Sequence, residues 1–124
     1  MAEETKRRWV LTLWAVLMVS VVVGSLLPGS SPVLVAMSRL PVSDKALHFA
    51  AYLALAALPV VGFCERRRGV AAGLAMFGLG LALEALQHFV AGRSVELRDL
   101  VANGAGVGCG ALLGLPLRSF VSLL

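Results

Sequence analysis

From Trp9 to Leu27 the chain runs nineteen residues without a charge, directly after Lys6-Arg7-Arg8. A helix needs ~20 apolar residues to cross ~30 Å of hydrocarbon, so this run reads as a transmembrane helix over residues 9–27. A secretory leader also begins with a basic segment, but its apolar stretch is shorter, ~7–15 residues, and ends in a small-residue cleavage site. Three further apolar runs follow, over about 46–63, 70–90 and 99–117. The expected fold is therefore all-α, a single-domain bundle of four transmembrane helices.

Composition agrees. Hydrophobic residues make up 59% and charged residues 15% of 124, too little polar surface for a globule in water. The net charge of +4 comes from short basic clusters between the apolar runs, so it reports topology and not a nucleic-acid-binding face. With the amino terminus inside, Lys6, Arg7, Arg8, Arg66, Arg67, Arg68 and Arg118 lie on the inner side and Arg39, Lys45, Arg93 and Arg98 on the outer. Seven against four predicts both termini in the cytoplasm. Cys64 and Cys109 form neither a disulfide framework nor a zinc pattern and read as small apolar fillers.

Local signals refine the spans. Pro28-Gly29-Ser30-Ser31-Pro32 ends the first, and the stretch to Pro41 is too short to cross and belongs at the interface. Ser43 or Asp44 caps the second, whose last turns Pro59 should loosen or kink. Asp99 opens the fourth, where Gly106, Gly110 and Gly114 form a small-residue stripe for close helix packing and for a homo-oligomer contact. A dinucleotide loop would need a preceding strand, and none is expected.

The polar residues inside these spans gather toward the outer face. Asp44, His48 and Tyr52 recur every four residues and share one side of the second span; Asp99 and Asn103 do the same on the fourth. At 1.5 Å per residue His48 lies ~6 Å and Tyr52 ~12 Å below Asp44, and Glu84 ~9 Å below Val90. An acidic residue within a membrane helix costs about 2.5–3.5 kcal/mol on insertion scales, so Glu84 needs a partner, for which Arg93 and Lys45 are nearest. Two helix N-termini and the ring of Arg39, Lys45, Arg93 and Arg98 suit a phosphate or carboxylate on an amphiphile's head group. Each residue also has a duller role: capping for Asp44 and Asp99, a helix bridge for Asn103, an interior histidine for His48, a belt aromatic for Tyr52. His88 reads as structural.

The pattern Asp44-Lys45-x-x-His48-Phe49-x-x-Tyr52, Glu84-x-x-Gln87, Gly92-Arg93 and Asp99-x-x-x-Asn103-x-x-Gly106 resembles the VanZ-like family. The resemblance implies a small multi-pass protein of the bacterial cytoplasmic membrane and cell envelope, whose namesake lowers susceptibility to the lipoglycopeptide antibiotic teicoplanin. It supplies no reaction. Ala91 stands where the family commonly has a proline before Gly-Arg, and His88 lies outside the pattern.

The sequence thus predicts an outward-facing polar pocket for the head group of a membrane lipid or lipid-like amphiphile. Asp44, Lys45, Tyr52, Gln87, Arg93 and Asn103 are the candidate binding residues; Glu84, His48 and Asp99 are the candidate catalytic ones, with Glu84 or His48 as acid or base if the ligand is transformed. A metal site from His48, Glu84 and Asp99 lacks tight ligand spacing, so neither metal nor cofactor is expected. Transport fits less well, because the first span carries no acid and the polar cluster lies near one face.

Overall fold

Helix α1 spans Glu3–Leu26. It begins ahead of the uncharged run because Glu3 pairs with Lys6 at 3.6 Å and Arg7 at 3.7 Å, and Glu4 with Arg8 at 2.8 Å. Such pairs one turn apart extend a helix into the interface. The remaining elements are α2 (Pro32–Ser38), α3 (Asp44–Gly62), α4 (Arg66–Gln87) and α5 (Leu97–Ser122). The computed structural model describes residues 2–124, and all regular structure among them is helical.

Four of these helices, α1, α3, α4 and α5, are long and apolar enough to cross a membrane. The chain is a multi-pass membrane protein. Leu13, Val16, Leu74, Leu81 and Leu112 are exposed on the outside of the bundle, a pattern that would be untenable in water and suits hydrocarbon. The interfacial stretch contains α2, capped by Ser31, whose Oγ accepts from the Leu34 N–H at 3.3 Å, with Pro32 at the first position.

Helix α3 is the centre of the bundle, with Leu55, Ala56 and Val60 fully enclosed. It packs most extensively against α5 and then against α4 and α1. The expected glycine stripe is what admits α5: a Cβ on Gly110 would lie 2.1 Å from the Leu53 carbonyl oxygen and one on Gly106 2.5 Å from that of Phe49. The stripe thus faces α3 within the chain, while Gly108 has open space beside it. Gly73 of α4 meets the Ala56 carbonyl in the same way.

Pro59 was expected to loosen α3, yet the helix continues to Gly62. A proline cannot donate to the carbonyl four residues back, here that of Leu55. The Trp14 indole N–H fills the vacancy, donating to the Leu55 oxygen at 2.9 Å, and its ring stands edge-on to Phe63 at 5.7 Å. Helix α1, none of whose residues is buried, is anchored at its middle by this bond together with the packing of Leu17, Met18 and Val21 on the core.

At the end that carries both termini, Arg118 of α5 reaches the C-terminus of α3. Its guanidinium donates to the carbonyls of Val60, Phe63 and Cys64. These are carbonyls that a helix end leaves unpaired.

Candidate functional site

At the opposite end the same problem arises for α1, and two residues of the sequence pattern solve it. Arg93 Nη1 donates to the carbonyls of Gly24 at 3.0 Å and Leu27 at 3.2 Å, and Gln87 Nε2 to that of Ser25 at 2.9 Å. The α4–α5 loop is further locked to the α1–α2 turn, where the Gly29 N–H donates to the Ala91 carbonyl at 3.0 Å. Gly92 adopts φ +73, and a Cβ on Gly29 would lie 2.1 Å from its oxygen. A left-handed residue at this turn is a glycine position.

These clamps tie the end of α1 to α4 and to the α4–α5 loop, and beside them a cavity of ≈ 640 Å³ lies between α1, α2, α3 and α4. Val19 and Val23 of α1 and Val33, Leu34 and Met37 of α2 line one side; His48, Tyr52, Glu84, Gln87, Arg93 and Asn103 line the other, with Asp44 also contributing. The four-residue spacing on α3 and α5 thus brings side chains from three helices to one place. Tyr52 is almost fully buried and packs its ring beside Gly80, where Asn103 Nδ2 also converges.

Beside the cavity lies a charged cluster. Lys45 Nζ is 2.6 Å from Asp99 Oδ1, 2.9 Å from Glu96 Oε2 and 3.6 Å from Asp44 Oδ2. His48 Nδ1 lies 3.3 Å from Asp99 Oδ1 without hydrogen-bond geometry, and 3.8 Å from Asp44 Oδ2. Of the two candidate caps of α3 the structure selects Ser43, whose Oγ accepts from the Ala46 N–H at 3.1 Å; Asp44 is the first residue of the helix. One expectation changes. Asp99 does not open α5; the helix starts at Leu97, which turns Asp99 inward to Lys45 and His48.

Of the trio His48, Glu84 and Asp99, Glu84 stands apart: the carboxylates that meet His48 are Asp44 and Asp99, with potential ligand atoms within 4.8 Å of one another. The Lys45 ammonium already sits against both carboxylates.

The sharpest departure concerns Glu84. Neither expected cation pairs with it: Lys45 is engaged by Asp99 and Glu96, and Arg93 by carbonyls of α1. Glu84 is 6% exposed and its Oε2 has no hydrogen-bond partner among the described residues; Asn103, 2% exposed, leaves Oδ1 equally unmatched. Buried polar atoms are almost always satisfied, so three unmatched ones on a single cavity, with His48 Nδ1 the third, set it apart from the rest of the bundle.

Residues 5–118 match the VanZ/LLP1 family. The chain belongs to that family. The matched residues include every residue that lines the cavity. Comparison with curated proteins and with solved structures gives no match.

The sequence pattern of this VanZ/LLP1 chain carried the polar side of the site and missed the apolar side. Val33, Leu34 and Met37 were placed only at the interface. The Ser31-Pro32 pair, a helix-start signal, was the clue to α2.

Proposed function

We propose that this VanZ/LLP1 protein binds a lipid or lipid-like amphiphile, its head group among Glu84, Asn103, Tyr52 and His48 and its tail along α1 and α2. One observation carries the reading: a single cavity joins an apolar wall from α1 and α2 to orphaned polar atoms on α4 and α5. Small-molecule sites combine an apolar lining with a few convergent polar groups in this way. The charge count, seven against four, favours a cavity that opens outward from the cytoplasmic membrane with both termini inside. A link to glycopeptide susceptibility, teicoplanin above all, follows from the resemblance to the family's namesake.

Turnover is the second reading, favoured by the buried Asp99 carboxylate 3.3 Å from His48 Nδ1, a pair that would orient the imidazole for acid–base work once the ring turns to donate to it. One experiment serves both. The full chain, purified in a maltoside detergent, is melted with single-chain amphiphiles that share a head group and differ in tail length. The melting temperature should climb with each methylene until the cavity is full, and Ala51→Trp, which fills the cavity, should abolish the effect. A melting temperature indifferent to every amphiphile sinks the reading. Mass spectrometry of the recovered amphiphile separates the alternatives: an unchanged mass means binding, a changed one turnover.

Orientation is checked in intact cells with a membrane-impermeant thiol reagent. Cys64 should stay unlabelled and Ser94→Cys should react; labelling of Cys64 alone would turn the cavity toward the cytoplasm.

A further inference from the structure

The polar groups around the cavity differ in whether they have been answered, and the difference points to the chemistry of the head group. Resting on the amphiphile reading above, we infer that the head group is an amine, received as an ammonium by the Glu84 carboxylate.

The argument is a charge balance. The two cations nearest the cavity, Lys45 and Arg93, are already engaged, and Arg39 and Arg98 do not line it. Lys45 lies among three carboxylates, those of Asp44, Glu96 and Asp99. Arg93 is held by the Gly24 and Leu27 carbonyls at the C-terminus of α1, where the negative end of the helix dipole adds to their attraction. A phosphate would add negative charge where four carboxylates, those of Asp44, Glu84, Glu96 and Asp99, already outnumber the two cations.

Glu84 is in the opposite position. It is 6% exposed, lines the cavity, and has Oε2 unmatched among the described residues. An isolated carboxylate in apolar surroundings is strongly disfavoured unless a positive charge accompanies it. No cation pairs with it among the described residues, since Arg93, which lines the same cavity, is turned to the carbonyls of α1, so a directly paired charge falls to the ligand. Asn103 adds an acceptor on the neighbouring helix, Oδ1, also unmatched. An amide can rotate to present its nitrogen instead, so Asn103 adapts to the head group and Glu84 sets its sign. An ammonium offers three donors, enough for the carboxylate and the amide oxygen together.

The test uses dodecylamine, dodecanol and dodecyl phosphate, three molecules with one tail and head groups of different charge, on the detergent-purified full chain. At pH 7 a primary amine is protonated. Dodecylamine should bind at least tenfold more tightly than either of the others, and raised salt should leave most of that ratio in place, because a buried pair is screened little while surface attraction is screened strongly. In Glu84→Gln, amine and alcohol should bind within twofold of each other.

Alcohol or phosphate binding as tightly as the amine would overturn the inference and leave the amphiphile reading standing. So would an amine preference that survives in Glu84→Gln, since the ammonium would then be held elsewhere. Failure of all three to bind would remove the amphiphile reading and this inference with it. Should Glu84→Gln not fold, the ratios on the unaltered chain and their response to salt decide alone.

Discussion

The two ends of the bundle meet the same problem in the same way and differ in what they leave over. At the terminal end Arg118 donates to three carbonyls at the close of α3; at the loop end Arg93 and Gln87 donate to three at the close of α1. The terminal end also has a cavity, ≈ 240 Å³, but Glu3, Lys6 and Arg7 around it are paired and Arg118 is engaged. At the loop end the caps are equally complete, yet Glu84 Oε2, Asn103 Oδ1 and His48 Nδ1 remain without partners among the described residues. The two ends thus contrast two kinds of polar residue. Those that answer a backbone group hold the fold; those that nothing answers are, on the reading proposed above, where a ligand belongs.

Substitutions that separate the two kinds can break this comparison. The largest effect should come from Arg118→Met, which takes a guanidinium from three carbonyls. Hydrogen bonds to charged groups contribute roughly 1.5–3 kcal/mol each and are not additive here, so a loss of about 3 kcal/mol is expected. Arg93→Met should cost less, about 2 kcal/mol, because Gln87 still holds Ser25. Both are read from thermal or denaturant unfolding in detergent. An unchanged melt for either variant would mean that its carbonyls find other donors.

Glu84→Leu should have the smallest effect on stability and the opposite sign. Replacing an unmatched buried polar group by an apolar one is near neutral or stabilising, by up to about 1 kcal/mol. The same variant should lose the amphiphile-dependent rise in melting temperature. If Glu84→Leu melts as far below the parent as Arg118→Met, Glu84 is a brace with a partner and the distinction between the ends collapses.

The spans were legible because a membrane asks so little of a sequence: long uncharged runs, broken by Pro28-Gly29 and by Arg66-Arg67-Arg68, are enough. The meeting of His48, Tyr52, Glu84 and Asn103 was legible too, since helical spacing sets the face and topology sets the depth. Pairing was not. Glu84 and Arg93 are close in sequence, which suggested a pair, but Arg93 is drawn to the carbonyls of α1, groups that every residue possesses and no sequence pattern displays. Nor was the apolar wall of the cavity, since Val19, which lines it, differs in nothing chemical from Val16 on the same helix. Asp99 was misplaced by two residues of helix, because Leu97 and Arg98 carry no start signal.

The contact between Gly29 and Gly92 reaches beyond the cavity it frames. Loops are ordinarily where a protein accepts insertions and deletions most readily. Here two turns remote in sequence touch backbone to backbone: a Cβ on Gly29 would sit 2.1 Å from the Gly92 oxygen, one on Gly92 would crowd Gly29 at 3.2 Å, and Gly92 has φ +73. A residue added to either turn would shift both. The α1–α2 and α4–α5 connections must therefore vary together or not at all, and their lengths are as tightly held as the packing of α3 against α5.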